Sequence, residues 1–141
     1  MSSVLKISEA ASLGLHTMAL LAARPDEILP TRKIAEELGV SEAHLSKVLQ
    51  RLTKVGLVNA TRGARGGYSL GQPSGEVSLL EVYEAIDGPL RPTTCLLGHP
   101  KCNGSECILG DLVGDINHQF EEHLAGQKLS DLAGAFRKNG A

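Results

Sequence analysis

The chain has 141 residues, of which 42% are hydrophobic and 21% are charged, and its formal net charge is −2. These proportions are ordinary for a soluble globular protein, and the length suits one domain with an appendage. The most apolar stretch, residues 10–23, is too short and too mixed to cross a bilayer and lacks a signal-peptide pattern, so we expect a cytoplasmic protein.

Charge is distributed unevenly along the chain. Residues 31–65 hold seven basic and three acidic side chains, whereas residues 66–141 hold five basic and ten acidic ones. Such a division is typical of a protein that meets phosphate with one part only, although charge also varies by chance along a solvated surface. We therefore expect nucleic-acid binding in the basic part.

Capping signals divide the first part of the chain into three helices. Ser8 is a suitable N-cap for a helix whose apolar residues recur at helical spacing as far as Ala22. Pro30 opens a second helix, which Gly39 closes. Ser41 opens a third helix, which ends near residue 56.

A hairpin, a helix and a loop are predicted next. Residues 57–61 and 68–70 are β-prone, and the glycine-rich residues 62–67 between them predict a hairpin tip. Ser78 and Glu81 form a capping box for a fourth helix that ends near residue 87. Residues 88–107 contain all three cysteines and little apolar periodicity, which predicts a long loop of functional or disordered character.

The last long helix is predicted over residues 108–124. Five apolar residues share one stripe of it: Leu109, Leu112, Val113, Ile116 and Phe120. Residues 129–132 form a short helical turn. The fold expected is therefore mainly α with a small β-wing.

Residues 30–70 match a winged helix-turn-helix, in which two helices joined by a tight turn precede a hairpin with a basic tip. The second helix of such a pair enters the major groove and the wing approaches the narrow minor groove, where arginine is favoured. The N-termini of the two helices offer backbone N–H groups to phosphate. The expected DNA contacts are Thr31, Ser41, His44, Ser46, Lys47, Gln50, Arg51, Arg62 and Arg65. The alternative interpretation is that these basic residues only keep the surface of a helical domain soluble and bind no DNA.

Four segments together resemble the Rrf-two family of bacterial winged-helix regulators, over nearly the whole chain. They are residues 61–70 (TRGARGGYSL), residues 79–88 (LLEVYEAIDG), the three cysteines that follow, and residues 129–132 (LSDL). Members of that family include an iron–sulfur cluster assembly regulator, a nitric-oxide-sensing repressor and a cysteine-metabolism repressor. The resemblance implies a homodimer held largely by the long C-terminal helix, bound to a pseudo-palindromic operator.

The resemblance also implies a division of the chain. We expect a winged helix-turn-helix domain over residues 1–87, a cluster-binding loop over residues 88–107, and a dimerisation helix with a tail over residues 108–141. An enzyme is not expected, because the sequence shows neither a phosphate-cradling glycine motif nor a nucleophile constellation.

The cysteines Cys95, Cys102 and Cys107 are separated by six and four residues. An odd number of clustered cysteines is a poor disulfide framework and favours metal ligation or redox chemistry. Cluster-binding relatives place three cysteines at this point, which implies a 2Fe–2S or 4Fe–4S cluster that senses redox state, nitric oxide or iron–sulfur supply. A zinc site or an oxidant-sensing thiol switch remains open, although zinc favours a tighter cysteine pair, and an iron–sulfur electron carrier is less favoured.

A fourth cluster ligand is implied by the same resemblance. In relatives it comes from the first helix of the partner subunit, as an acidic residue, sometimes with a histidine one turn later. The matching positions here are Ser12 and His16, and we expect His16 to be the ligand. Glu9 and His99 are the alternatives, and a histidine with a purely structural role is the competing interpretation.

Overall fold

A computed structural model describes residues 5–90, 95–97, 101–102 and 107–136. Helices predominate in these ranges, and a two-stranded antiparallel sheet lies between the third and fourth helices. The elements are α1 (Glu9–Ala23), α2 (Thr31–Leu38), α3 (Glu42–Lys54), β1 (Val58–Thr61), β2 (Gly67–Leu70), α4 (Leu79–Asp87), α5 (Leu112–Gly126) and α6 (Leu129–Leu132). Short 3₁₀ turns precede α4 and follow α6.

The first four helices begin at the residues that their capping signals predict, and α3 ends at Lys54, two residues before the predicted Gly56. Ser8 Oγ accepts from the backbone N–H of Ala11 at 3.0 Å, and Ser41 Oγ accepts from that of His44 at 3.1 Å. Ser78 and Glu81 form the reciprocal capping box of α4. Gly39, with φ of +67°, closes α2 in the left-handed conformation that glycine adopts without steric cost.

The hydrophobic core is built around α1. Its Met18, Leu20 and Leu21 are fully or almost fully buried, together with leucines of α3 and Val82 of α4. Gly14 permits the close approach of α4, because a Cβ there would lie 3.1 Å from Ile86 Cγ1. Leu129 is also fully buried, so the C-terminal part of the chain completes the same core.

The wing is joined to the start of the helix pair. Strands β1 and β2 pair from Val58↔Leu70 to Thr61↔Gly67, and an isolated bridge adds Leu29 to the other side of Tyr68. The Leu29 and Tyr68 backbones exchange hydrogen bonds of 2.9 and 2.8 Å. A Cβ at Gly67 would lie 2.5 Å from the Leu29 carbonyl carbon, so the bridge requires glycine at this position.

The start predicted for the last long helix is wrong. Residues 108–111 form turns, and α5 begins at Leu112 and ends at Gly126. Gly110 has φ of +59°, a left-handed conformation that interrupts a right-handed helix and therefore delays its start. The described residues between 88 and 107 contain neither helix nor strand, as the loop prediction expects.

The chain returns to the core after α5. The backbone N–H of Leu79 donates to Gln127 O at 3.0 Å, and that of Leu129 donates to Val77 O at 2.9 Å. The following 3₁₀ turn, Ala133–Phe136, packs against α1. Among the helices described, none has the length and apolar character that a membrane span requires.

Candidate functional site

Helix α3 buries one face and exposes the other. Leu45, Val48, Leu49 and Leu52 enter the core, which turns His44, Lys47 and Gln50 toward solvent and leaves Ser46 half-buried. The exposed set offers a cation, an amide and an imidazole on one surface, the side-chain chemistry that reads base edges and binds phosphate. Thr31 is half-buried in the first turn of α2, and the cap residue Ser41 is exposed.

Arg51 makes a contact that no pattern in the sequence predicts. Its Nη1 donates to the backbone carbonyl of Ile86, in the last turn of α4, at 2.7 Å. The acceptor lies 35 residues away in sequence, so no local pattern could identify it. The DNA contact expected of Arg51 stays a prediction, but its guanidinium already binds within the protein.

The wing presents Arg62 and Arg65 to solvent at its tip. The tip is a tight turn in which Gly66 N–H donates to Gly63 O at 2.9 Å. Gly63 has φ of +111°, and a Cβ at Gly66 would overlap the carbonyl oxygen of Thr61. The glycines therefore allow the tight turn that carries both exposed arginines at the hairpin tip.

The three cysteines line one cavity of about 330 Å³, together with Leu96, Leu97, Lys101 and Ile108. Cys95 is half-buried, Cys102 and Cys107 are exposed, and none of the three forms a disulfide. Three sulfur donors around a cavity with apolar walls are a donor set that suits an iron–sulfur cluster. In the described ranges, however, no group of three or more histidine, cysteine or acidic side chains is already arranged to hold a metal ion.

His16 lies in a different cavity, also of about 330 Å³, which is lined by residues of α1, by the end of α2 with Val40, and by Phe136. Its Nδ1 is 2.7 Å from the carbonyl oxygen of Ser12. A carbonyl can only accept, so we assign the proton to Nδ1, and in the neutral ring Nε2 then carries the lone pair that a metal ligand needs. Phe136 packs edge-on against the ring, with centroids 6.3 Å apart.

The structure therefore does not bring His16 together with the cysteines within one chain. Of the alternatives, Glu9 lines the same cavity as His16, and His99 lies outside the described residues. If His16 or Glu9 completes the cysteine site, the ligand must come from a second copy of the chain.

These features together define a winged helix-turn-helix protein: the helix pair α2 and α3, the wing that is bridged to Leu29, and the basic tip of the wing. The family model for Rrf2, described as an iron-dependent transcriptional regulator, matches residues 7–135. The transcriptional regulator IscR of Xenorhabdus nematophila is 33% identical over 105 residues, which are 74% of this chain and 63% of that protein. The chain thus matches slightly less than two thirds of that relative's length.

Solved structures agree with the fold. CymR, described as the global cysteine regulator of B. subtilis, superposes with a TM-score of 0.76 at 26% identity, covering 94% of this chain and 98% of that one. IscR of T. potens superposes with a TM-score of 0.73 at 22% identity, covering 98% and 93%, and supports the fold alone. The chain belongs to the Rrf2 family of transcriptional regulators.

Proposed function

We propose that the chain is a dimeric DNA-binding transcription regulator that senses redox state, nitric oxide or iron–sulfur supply through an iron–sulfur cluster. The observation that carries the proposal is the shared cavity of Cys95, Cys102 and Cys107, immediately before α5, in a chain that also has a winged helix-turn-helix. The cysteine cavity supplies the ligands for a cluster, and the winged helix-turn-helix supplies the surface that reads DNA.

The DNA-reading surface consists of the exposed side of α3 and the wing tip. His44, Lys47 and Gln50 face solvent along α3, and the two wing arginines face solvent at the hairpin tip. Thr31, Ser41 and Ser46 complete the proposed contacts to phosphate and base edges, and their small hydroxyls suit both roles. Arg51 is set apart by its hydrogen bond to Ile86.

The dimer surface proposed is the apolar side of α5 and the turn before it. Ile108 is 90% exposed, and Leu112 and Ile116 are 51% and 40% exposed. Large apolar side chains in one exposed stripe are characteristic of surfaces that bind another protein. A second copy of the chain is the partner that we propose, because the family resemblance implies a homodimer.

The three cysteines would hold the cluster through their thiolates, and His16 of the partner subunit would supply the fourth ligand. Such a cluster provides a redox- and nitric-oxide-sensitive group. The Ser12 carbonyl, by accepting from Nδ1, would orient the imidazole and keep Nε2 available. Cluster binding would then need the cysteines of one subunit and the histidine of the other. The cluster would therefore connect the two subunits of the proposed dimer.

Anaerobic purification followed by visible absorption spectroscopy and by iron and sulfide analysis tests the proposal. We expect a coloured protein whose iron content falls on Cys102→Ala, while exposed Ser130→Ala keeps it. DNA affinity should change with the cluster in the wild type. A colourless, iron-free wild type whose DNA affinity is unaffected by Cys102→Ala would contradict the sensor function.

A thiol switch is the second candidate. It is favoured by the exposure of Cys102 and Cys107, which leaves both thiols accessible to an oxidant. Mass spectrometry of oxidant-treated, metal-free protein distinguishes the two, because only a thiol switch predicts cysteine oxidation that changes DNA affinity without iron.

A further inference from the structure

We propose that Arg51 is a positioning residue: it fixes α3 to the carboxyl end of α4, from which the cysteine-bearing segment departs, and it does not contact DNA. The proposal rests on the proposed function, because it assigns the mechanical link between the sensor segment and the DNA-reading helix. Its observation is the 2.7 Å hydrogen bond from Arg51 Nη1 to Ile86 O.

The two ends of this hydrogen bond suit each other. The last carbonyls of a helix have no partner within the helix and carry the negative end of its dipole, so a guanidinium is a favourable donor there. Arg51 lies in the last turn of α3, whereas base reading uses the first turns of a recognition helix. Arg51 is exposed and lines a surface cavity with His44 and Lys47, but its place in the last turn and its bond to Ile86 favour a positioning role over base reading.

The carboxyl end of α4 is held from three further directions. Ser8 Oγ, the cap of α1, lies 2.8 Å from both carboxylate oxygens of Asp87 and donates to them. Ile86 is buried against Gly14 of α1. Glu84 Oε2 accepts from the backbone N–H of Leu90 at 3.0 Å, beyond the helix end.

The chain reaches the first cysteine, Cys95, five positions after Leu90. A displacement of the cysteine segment would therefore act first on the carboxyl end of α4. This helix end is fixed to α1 by Ser8 and Gly14 and to α3 by Arg51. Helices α3 and α4 also pack against each other, and Val48 and Ile86 both lie beside Gly14, but among the described residues the hydrogen bond that joins the two helices is that of Arg51. Its removal should uncouple the cysteines from DNA affinity while leaving the DNA-facing charges in place.

The experiment measures the salt dependence of DNA binding by the full chain, with a duplex that the wild type selects from a random-sequence library. Between about 50 and 200 mM salt, loss of one phosphate contact lowers the logarithmic slope by about 0.9. We expect Lys47→Met to show that decrease and Arg51→Met to keep the wild-type slope. A slope lowered by about 0.9 in Arg51→Met would overturn the proposal.

The second measurement is the ratio of DNA dissociation constants for protein with alkylated and with reduced cysteines, both free of metal. We expect a ratio of about 5 or more in the wild type, and a ratio below about 2 in Arg51→Met. Asp87→Ala, which loosens the same helix end without removing a cation, should also lower the ratio. A ratio retained in Arg51→Met would overturn the link.

The outcomes separate this proposal from the proposed function. If the wild type selects no duplex, or its affinity ignores both the cluster and the state of its cysteines, the proposed function fails and the link to a sensor fails with it. If the wild type responds and Arg51→Met responds equally, the proposed function stands and only the role of Arg51 is refuted. Circular dichroism on each variant confirms that the fold is retained, and Arg51→Lys, which keeps the charge, serves as the milder substitution.

Discussion

Thr17 is a polar residue in the middle of the apolar helix α1. Its side chain is completely buried, and among the residues described its Oγ1 has no hydrogen-bond partner. A buried hydroxyl without a partner loses its hydration and gains nothing in return. Thr17 is therefore a position at which the native side chain lowers stability.

Replacement of Thr17 by valine should raise the free energy of unfolding by about 1 kcal/mol, since valine keeps the shape and removes the unpaired hydroxyl. Thr17→Ser is the matched control: it keeps the hydroxyl, removes a methyl group, and should lower stability by about 1 kcal/mol. Urea unfolding followed by circular dichroism measures both. Equal destabilisation by the two substitutions would show that Thr17 has a hydrogen-bond partner.

Tyr83 connects α4 to α5 by packing edge-on against Phe120, with ring centroids 5.5 Å apart. Burial of the phenol, and then the nearby Asp87 carboxylate, raise the pKa of Tyr83 above its ordinary value of 10.0. Because the folded-state pKa lies above the unfolded-state value, the contribution to stability is complete below about pH 10 and is lost as the pH rises further.

The free energy of unfolding of the wild type should therefore fall more steeply above about pH 10 than that of Tyr83→Phe, which has no proton to lose. Guanidinium unfolding at several alkaline pH values measures the difference. Parallel curves for the two proteins would show that the phenol ionises as readily in the folded state as in the unfolded chain.

Single residues also show what a sequence reveals and what it hides. The caps Ser8, Ser41 and Ser78 are local signals, so the starts of their helices could be predicted correctly. Arg51 is different, because its acceptor is a backbone carbonyl in another helix. A pattern of side-chain types along one helix shows which residues face outward, but it does not show what another helix places there.

Among the elements, the attachment of the wing to Leu29 depends on Gly67. Gly67→Ala would place a Cβ 2.5 Å from the carbonyl carbon and oxygen of Leu29 and so disrupt the Leu29–Tyr68 bridge. Losing its two hydrogen bonds should cost about 1–3 kcal/mol of stability and weaken DNA binding, because the wing would no longer be held against α2.

Gly126→Ala is the matched control, because the described residues leave open space where its Cβ would lie, and its φ is not in the left-handed region. It should leave the melting temperature unchanged or raise it slightly. Differential scanning calorimetry and a DNA titration measure both variants. A Gly67→Ala protein with wild-type stability would contradict the requirement for glycine.

Helix α5 shows the limit of apolar periodicity as a guide to element ends. The spacing of Leu109, Leu112 and Ile116 continues smoothly through residues 108–111, yet those residues form turns. Periodicity records which residues share a face, whereas the helix start depends on the backbone angle at Gly110. The sequence predicted that three cysteines lie near one another along the chain, but not that they line one cavity. Residue types alone do not show which parts of a loop come together in space.

At the scale of the whole molecule, the proposed dimer can be tested on α5. Ile116→Glu places a carboxylate in the exposed apolar stripe, where an unpaired buried charge costs about 3 kcal/mol and should raise the dimer Kd about 100-fold. His118→Glu is the control: it adds the same charge at an exposed residue on the other side of α5, where it alters only the local contact of His118 with Glu122.

Sedimentation velocity across a range of concentrations measures the change. We expect Ile116→Glu to sediment as a monomer where the wild type and His118→Glu sediment as dimers, and to bind DNA more weakly. If all three proteins have the same oligomeric state, the dimer surface lies elsewhere.

The bridge between Leu29 and Tyr68 makes the wing and the helix pair a single block, because two backbone hydrogen bonds and the close approach at Gly67 join them. A signal that moves α3 must then carry the wing with it. If the proposed dimer holds two such blocks, a change of sensor state would alter the distance between the blocks and leave the arrangement of wing and helices within each block as it is.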